Sequence, residues 1–323
     1  MLTRRLLLAT AAATLSRGYA FADEPYPNRV VRIVVPYPPG GPTDLLGRLA
    51  AQNLATAWKQ SVIVDNKPGA SGSIGSDIVA RSPPDGYTLL LGNNASQGTY
   101  ELLNPASSTY ATLRDFAPVA LIGVAPQVLI VGSHLKIDNA RDLIAFAKAN
   151  PGRLNYGSSA IGSAPHLAAE LLKLATHTDI QHIPYNGAAP VMQAIVAGTI
   201  DLYIGAPSTV MPHVQAGTVR AIGAVSPERI GAMPNLPTLR EQGIDVVYDS
   251  WFGLLAPIRV PSDILDRINR DLNATLGGDA MQAELARIGF DRRLGTRADF
   301  GDMLQAEITR TRELIATAKI TAQ

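Results

Sequence analysis

From Asn28 onward the chain alternates short apolar, β-branched runs with longer segments of helical period. Runs at 30–35, 62–65 and 87–91 read as strands, and 44–58 and 74–81 read as helices. In the first of these helices Leu45, Leu46, Leu49, Ala50, Leu54 and Ala57 recur on one face, the face expected to pack on a sheet. The pattern restarts with a strand at 127–131, then helix 140–149, strand 154–156, helix 164–174, strand 180–184 and helix 188–197. Strand 200–204, helix 208–216 and strand 219–225 complete it. Such alternation predicts βαβ units around mainly parallel sheets, an α/β fold in two lobes. Segment 119–124 and the stretch around Ser226 are the expected crossings between lobes. The first lobe is then discontinuous, 23–124 plus 227–323, and the second is 125–226. No fixed-period repeat is visible, and the Pro-dotted stretch 233–237 reads as a surface loop.

Length agrees with two lobes, and the amino-terminal segment sets the compartment. Arg4 and Arg5 precede an apolar run at 6–15, and the segment ends in Ala20, Phe21, Ala22, so residues 1–22 read as a cleavable export signal with an Ala-x-Ala site. Thr3, Arg4, Arg5 and Leu6 to Leu8 fit a twin-arginine signal as well as the general secretory route. Cleavage leaves 301 of 323 residues (323 minus 22), above the size at which one core usually keeps growing. It removes Arg4, Arg5 and Arg17 and no acid, moving the formal charge from +1 to −2 (28 − 3 basic against 27 acidic residues). Neither value suits a nucleic-acid partner. There is no cysteine, which excludes disulfides, a thiol nucleophile, thiolate metal sites and a lipid anchor at the cleavage point.

Two loops carry the candidate chemistry. Residues 36–44, with Tyr37, Gly40, Gly41, Pro42, Thr43 and Asp44, join a strand to a helix. Glycine lets backbone approach a ligand and Pro42 or Thr43 starts the helix, so free N–H groups face an anion. Residues 156–166 repeat the arrangement in the other lobe. There Ser158 and Ser159 offer hydroxyls, Gly162 and Ser163 precede the helix with Ser163 as its cap, and His166 lies in the first turn. Ligands of open α/β sheets bind beyond the carboxyl ends of the strands, so both loops are expected to face one solute. Asn93, Asn94 and Ser96, the turn Tyr185, Asn186, Gly187, and Asp201 are further candidates, Asp201 also as a cap; Trp251 and Phe252 read as core aromatics. Neither main loop contains Arg or Lys, so recognition rests on amides, hydroxyls and ordered water.

Enzyme signals are weak. Walker A spacing, Gly-x-Gly-x-x-Gly after a strand, Gly-x-Ser-x-Gly and His-Glu-x-x-His are all missing. The five histidines are scattered, with His177 and His182 across a helix-to-strand break, so neither a metal nor a cofactor is expected. A hydrolase built on Ser158 or Ser159 lacks a base and its orienting partner.

Together these segments resemble the Bug family, solute receptors of tripartite tricarboxylate transporters. The resemblance is carried by 35–44 (VPYPPGGPTD), 66–75 (NKPGASGSIG), 84–90 (PDGYTLL), 115–119 (DFAPV), 157–168 (GSSAIGSAPHLA), 183–190 (IPYNGAAP), 236–241 (LPTLRE) and 251–257 (WFGLLAP). It implies a type II periplasmic-binding fold whose lobes close over a small carboxylated solute, with a membrane permease as partner. By the same resemblance Gly40, Gly41, Thr43 and Asp44 fall on a first ligand loop, Ser158, Ser159, Gly162 and Ser163 on a second, and Asp201 on a polar cleft position. The chain departs in having Ala160 where Gly is usual, Asn186 where Lys is frequent, and Asn93, Asn94 and Gln97 in a third loop. The expectation is a periplasmic, monomeric receptor for a small organic acid, amino acid or related solute that delivers it to permease subunits. The alternative is a sensory adaptor that presents the solute to a membrane signalling protein.

Overall fold

The computed structural model describes residues 26–321, so the export signal expected at 1–22 lies outside the described residues. In chain order the elements of the first half are β1 (Val31–Val35), α1 (Pro42–Trp58), β2 (Val62–Asn66), α2 (Ser73–Ala80), β3 (Thr88–Asn93) and β4 (Phe116–Pro126). Then follow β5 (Val128–Gly132), α3 (Ala140–Ala149), β6 (Asn155–Ser158), α4 (Ala164–Thr176), β7 (Gln181–Pro184) and α5 (Ala188–Val196). The remainder comprises β8 (Leu202–Gly205), α6 (Pro207–Gln215), β9 (Val219–Ala224), β10 (Asp249–Pro257), α7 (Ser262–Leu276), α8 (Asp279–Arg287), β11 (Asp291–Arg292) and α9 (Arg297–Ala318). Among the described residues no helix is long and apolar enough to cross a membrane.

The strands form two sheets, ordered β11-β4-β10-β3-β1-β2 and β7-β6-β8-β5-β9. Parallel pairing links β1 to β2 and β3, and β6 to β7 and β8, as the alternating pattern predicts. Both sheets are nonetheless mixed. In the first sheet β10 is antiparallel to β3 and β4, and in the second β5 is antiparallel to β8 and β9. The reason is where the chain changes lobes. Strands β4 and β9 leave their sheets at the carboxyl edge, so the strand that enters the other lobe starts at that lobe's carboxyl edge and runs backwards. Each lobe has its own core: Ile33, Leu46, Leu54, Leu89 and Leu254 share one cluster, while Leu129, Leu143, Leu167, Leu172 and Ile204 share another.

The crossings differ from the sequence expectation. The first lies at Gln127, three residues beyond 119–124, because β4 stays in the first sheet to Pro126. The second falls between Tyr248 and Asp249 instead of near Ser226. Leu239 N donates to Ala224 O and Tyr248 N to Val225 O, and Leu239, Ile244, Val246 and Tyr248 are buried in the second lobe's core. Residues 227–248, assigned from sequence to the first lobe, therefore pack on the second. The two crossings run side by side: Asp249 pairs with Pro126 and Ser250 with Ala125, and Gln127 Nε2 donates to Ala125 O at 3.0 Å and Ser250 Oγ at 3.2 Å.

Helix α9 touches both lobes. It opens with a capping box between Thr296 and Asp299. Its Phe300, Leu304 and Ile308 are buried with Trp251 and Leu255 of the first lobe, and its Leu314 is buried with Tyr248 and Leu172 of the second. Between these, Glu307 accepts Asn94 Nδ2 at 2.8 Å and pairs with Arg310.

Beside this helix the second crossing carries an unpaired acid. Asp249 Oδ1 is sealed from solvent without a hydrogen-bond partner. Burial first, then the nearby Asp291, push its carboxyl up to about 7, while Arg293 and Arg310 pull the other way and Glu307 adds to the rise. Folded protein therefore holds a proton that the unfolded chain releases above its ordinary carboxylate range. This contribution to stability falls as pH rises from about 4 to about 7 and is flat beyond. Asp249→Asn is expected to raise thermal stability at pH 8 by about 1–2 kcal/mol and to leave it unchanged at pH 4. Melting curves of both proteins at the two pH values check this, and an equal effect at both would contradict it.

Candidate functional site

Because each βα connection leaves its strand at the carboxyl edge, the helices that follow begin there too. Four of these starts, Gly41 before α1, Ser163 before α4, Gly187 before α5 and Ala206 before α6, line one cavity of about 850 Å³ between the lobes. None of the four has a side-chain capping bond. Helix starts have amides without intrahelical acceptors, and the aligned peptide dipoles give each roughly half a positive charge. Among the described residues lining the cavity there is no Asp, Glu, Lys or Arg. The site therefore offers positive potential and N–H donors without any fixed counter-charge, a setting suited to an anion.

The first loop is held from beneath. Tyr37 donates to Asn93 Oδ1 at 2.9 Å, Asn93 Nδ2 donates to Thr43 Oγ1 at 3.2 Å, and Asn93 Oδ1 also accepts Ala95 N and Ser96 N. Asp44 is buried and accepts Gly40 N, Arg48 Nε and Asn66 Nδ2, each at 2.9 Å. Burial would raise its pKa, but the hydrogen bonds from Arg48, Gly40 and Asn66 outweigh it and hold the carboxyl below its usual range. Asp44 thus clamps the loop and does not line the cavity, whereas Tyr37, Gly40, Gly41, Thr43 and Asn93 do. Ser96 is fully buried under the loop, beside Gln97, and is also off the cavity wall.

In the second loop Ser159, Ala160, Ser163, Ala164 and Pro165 reach the cavity, whereas Ser158, Gly162 and His166 do not. Ser163, expected to cap α4, instead donates its hydroxyl to Ala160 O at 2.7 Å, which leaves the helix amides open. Ser158 is fully buried, 2.7 Å from His182 Nε2. His166 is buried too, and its Nδ1 accepts Gly162 N at 2.9 Å. The rings of His166 and His182 stack with centroids 4.0 Å apart, and His182 stacks on Tyr156 at 4.7 Å. Burial, with the neighbouring His182 and Lys173, pushes His166 down to about 3; burial, with Lys173, brings His182 down to about 4 despite Glu170. Both rings are neutral near pH 7, as an accepting Nδ1 on His166 requires. Gly162 has φ +73°, and a Cβ there would sit 2.6 Å from Thr99 Cγ2, so this loop leans directly on the first lobe.

The remaining candidates divide. Asn186 and Gly187 line the cavity, and Gly187 N donates to Ser159 O at 2.8 Å, joining the two loops of this lobe. Tyr185 packs against the hydrophobic cluster behind the wall. Asp201 precedes β8, at the end away from Ala206, and its carboxylate accepts Asn155 N at 2.9 Å and meets His134 Nε2 at 3.0 Å. It fastens strand ends and is not on the cleft. Sequence reasoning missed Gln127, Tyr203, Ser208, Ser250 and the cavity-facing side of Phe252. The start of α6 had a readable signal, since Gly205-Ala206-Pro207-Ser208 repeats the strand, small residue, proline, helix pattern of the first loop. Gln127 and Ser250 had none, because the two crossings bring them together.

A profile of the tripartite tricarboxylate transporter family receptor matches residues 46–320. The chain is similar to Protein BugT of Bordetella pertussis, 34% identical over 309 residues that cover 95% of each chain. Among solved structures it is similar to Rpa4515 of R. palustris with adipate, at 35% identity and TM-score 0.85, covering 92% of this chain and 99% of that one. It is also similar to MatC from Rhodopseudomonas palustris with bound malate, at 28% identity and TM-score 0.79, covering 90% and 100% of the two chains.

Gly41 gives a direct test of the first loop. Its φ of −84° suits any residue, and a Cβ there meets nothing within 4 Å. Gly41→Asp is expected to stabilise the protein slightly, by a few tenths of a kcal/mol, because Asp caps helices at least as well as Gly. The same side chain occupies the amides that a solute needs, so affinity should fall at least tenfold. Melting curves and calorimetry on the variant separate the effects, and unchanged affinity in the folded variant removes this loop from the site.

Proposed function

The chain belongs to the tripartite tricarboxylate transporter receptor family, a family of solute receptors and not of enzymes, and from that premise we propose that it binds a small organic acid in the periplasm and hands it to the membrane permease of such a transporter. It has the two-lobed, type II periplasmic-binding fold of its structural relatives. The observation that carries the ligand class is the set of four uncapped helix starts around one cavity whose described lining holds no Asp, Glu, Lys or Arg. A carboxylate accepts hydrogen bonds from amides, and each dipole contributes roughly 0.3–1 kcal/mol at such a position, more where solvent is excluded. Adipate and malate in two relatives are ligands of this class. Export through the segment 1–22 provides access to the periplasm, by either the twin-arginine or the general secretory route. The sensory-adaptor alternative has no observation of its own in its favour.

Nothing in the cavity wall neutralises a cation. An α-ammonium group would meet the positive ends of four helices with no Asp or Glu beside it. Amino acids, which the sequence left open as solutes, are therefore disfavoured relative to their deaminated counterparts.

Protein stripped of bound solute by unfolding and refolding should melt at progressively higher temperature as succinate, malate, adipate, citrate or benzoate is added. The best of them stabilises it by about 2.7 kcal/mol at a hundredfold excess over its Kd. Glutamate should shift the melt far less than glutarate. If no acid of this panel moves the transition or gives a calorimetric heat of binding, the carboxylate reading fails.

A further inference from the structure

Four tyrosines, Tyr110, Tyr156, Tyr203 and Tyr248, are among the largest fully buried side chains. Three of them have hydroxyl partners: Tyr110 donates to Ser96 O, Tyr156 to Glu170 Oε1 at 2.6 Å, and Tyr248 lies 3.5 Å from Glu307 Oε1. Tyr203 has none among the described residues. Its surroundings are apolar, with Val128, Ile130, Met192 and Val210 in the same cluster. The hydroxyl oxygen is not among the sealed polar atoms that lack a partner, so it opens onto the space of the cavity and makes no bond that serves the fold. Valine or phenylalanine would fill a strand interior without it.

The direction of the ring explains why it is there. Tyr203 lies on β8 and lines the cavity. Gly205 is two residues on, on the same face of the strand, and a Cβ built there would fall 2.2 Å from Tyr203 Cε1 and 2.8 Å from Cζ. The ring therefore runs along the strand over Gly205 toward the carboxyl edge, where α6 begins after Ala206. Glycine at 205 is what makes room for it. Burial alone raises this phenol well above its usual pKa, so it remains a neutral O–H donor. Ser208 lines the same cavity, and its N–H, in the first turn of α6, has no backbone acceptor, whereas Thr209 N and Val210 N both reach Ala206 O.

We propose that Tyr203 is the specificity-determining donor of the second lobe, giving its hydrogen bond to a second oxygen acceptor on the solute, so that this receptor selects dicarboxylates over monocarboxylates. The assignment rests on the carboxylate reading above and refines it. One carboxylate is held at the start of α1 on the first lobe, and the other takes the Tyr203 hydroxyl with the helix-start amides of the second. A methyl group in place of the second carboxylate leaves the phenol unpaired in the closed cavity, which turns its missing bond into discrimination.

The test compares stripped wild-type protein with Tyr203→Phe, using diacids and monoacids of matched chain length: succinate with butyrate, glutarate with pentanoate, adipate with hexanoate. Wild type should bind the best-fitting diacid at least tenfold more tightly than its monoacid partner by calorimetry. Tyr203→Phe should lose ten- to a hundredfold of the diacid affinity, the range for a hydrogen bond to a charged group, and its preference for diacid over monoacid should shrink by at least that factor. Without solute the variant should melt at or above the wild-type temperature, because no structural bond is lost. A lower melting temperature would mean that the hydroxyl is held within the protein and would overturn the assignment. So would equal wild-type affinity for diacids and monoacids, or diacid binding unchanged in the variant; both of these leave the carboxylate receptor standing. Wild type that binds neither member of any pair overturns the Tyr203 assignment, and the carboxylate reading falls with it only when malate, citrate and benzoate fail to bind as well.

Discussion

The backbone amide at the start of a helix has no acceptor within its own helix, and in this protein that requirement organises the site. A parallel βαβ unit places every such start at the carboxyl edge of its sheet. Two sheets facing each other across their carboxyl edges therefore bring helix starts together without any need for charged side chains. Here the starts of α1, α4, α5 and α6 all line one space, and none is capped by a side chain. The residues at the starts are Gly41, Ser163, Gly187 and Ala206, which are small and leave the amides accessible. A fold selected only for stability would be expected to cap them.

The groups behind the wall keep it that way. Asp44, the one acid on the first loop, is turned back onto Arg48, Asn66 and Gly40 N, so its charge is balanced beneath the surface. The second loop rests on His166, His182 and Tyr156, three stacked rings of which the two imidazoles are held neutral by burial. Polar side chains thus support both loops while the potential in the cleft is left to the backbone. That division lets the cleft offer donors to an anion without the arginine that a bidentate pair would supply.

Much of this was legible along the chain, and what was not has physical causes. The strand, glycine or proline, helix signature located the loops at 36–44 and 156–166, because turn chemistry is local. Which side chains of those loops face the solute was not local. Ser158 and His166 point into packing against His182, far away in sequence, and only the fold brings these rings together. Residues 227–248 lack a helical or strand period, so nothing in their pattern says which lobe they cover; the contacts of Leu239 and Tyr248 decide it. Asp201 was placed on the cleft by resemblance, whereas a residue before a strand that ends at the cleft must lie at the opposite edge. Tyr203 reads as an ordinary strand aromatic until Gly205 and the unpaired hydroxyl are seen together.

The last long helix bears on how such a molecule moves. Its first turns are sunk in one lobe through Phe300, Leu304 and Ile308, and its last turns in the other through Leu314. Pulling the lobes straight apart would strip one end of this rod from its socket and expose apolar surface, at roughly 25 cal/mol for each Å². Swinging them about a line that passes by the rod and the paired strands at Pro126 and Asp249 disturbs neither socket. Helix α9 thus works as a hinge pin: it leaves the jaw of the cleft free to rotate while denying the two halves the freedom to separate.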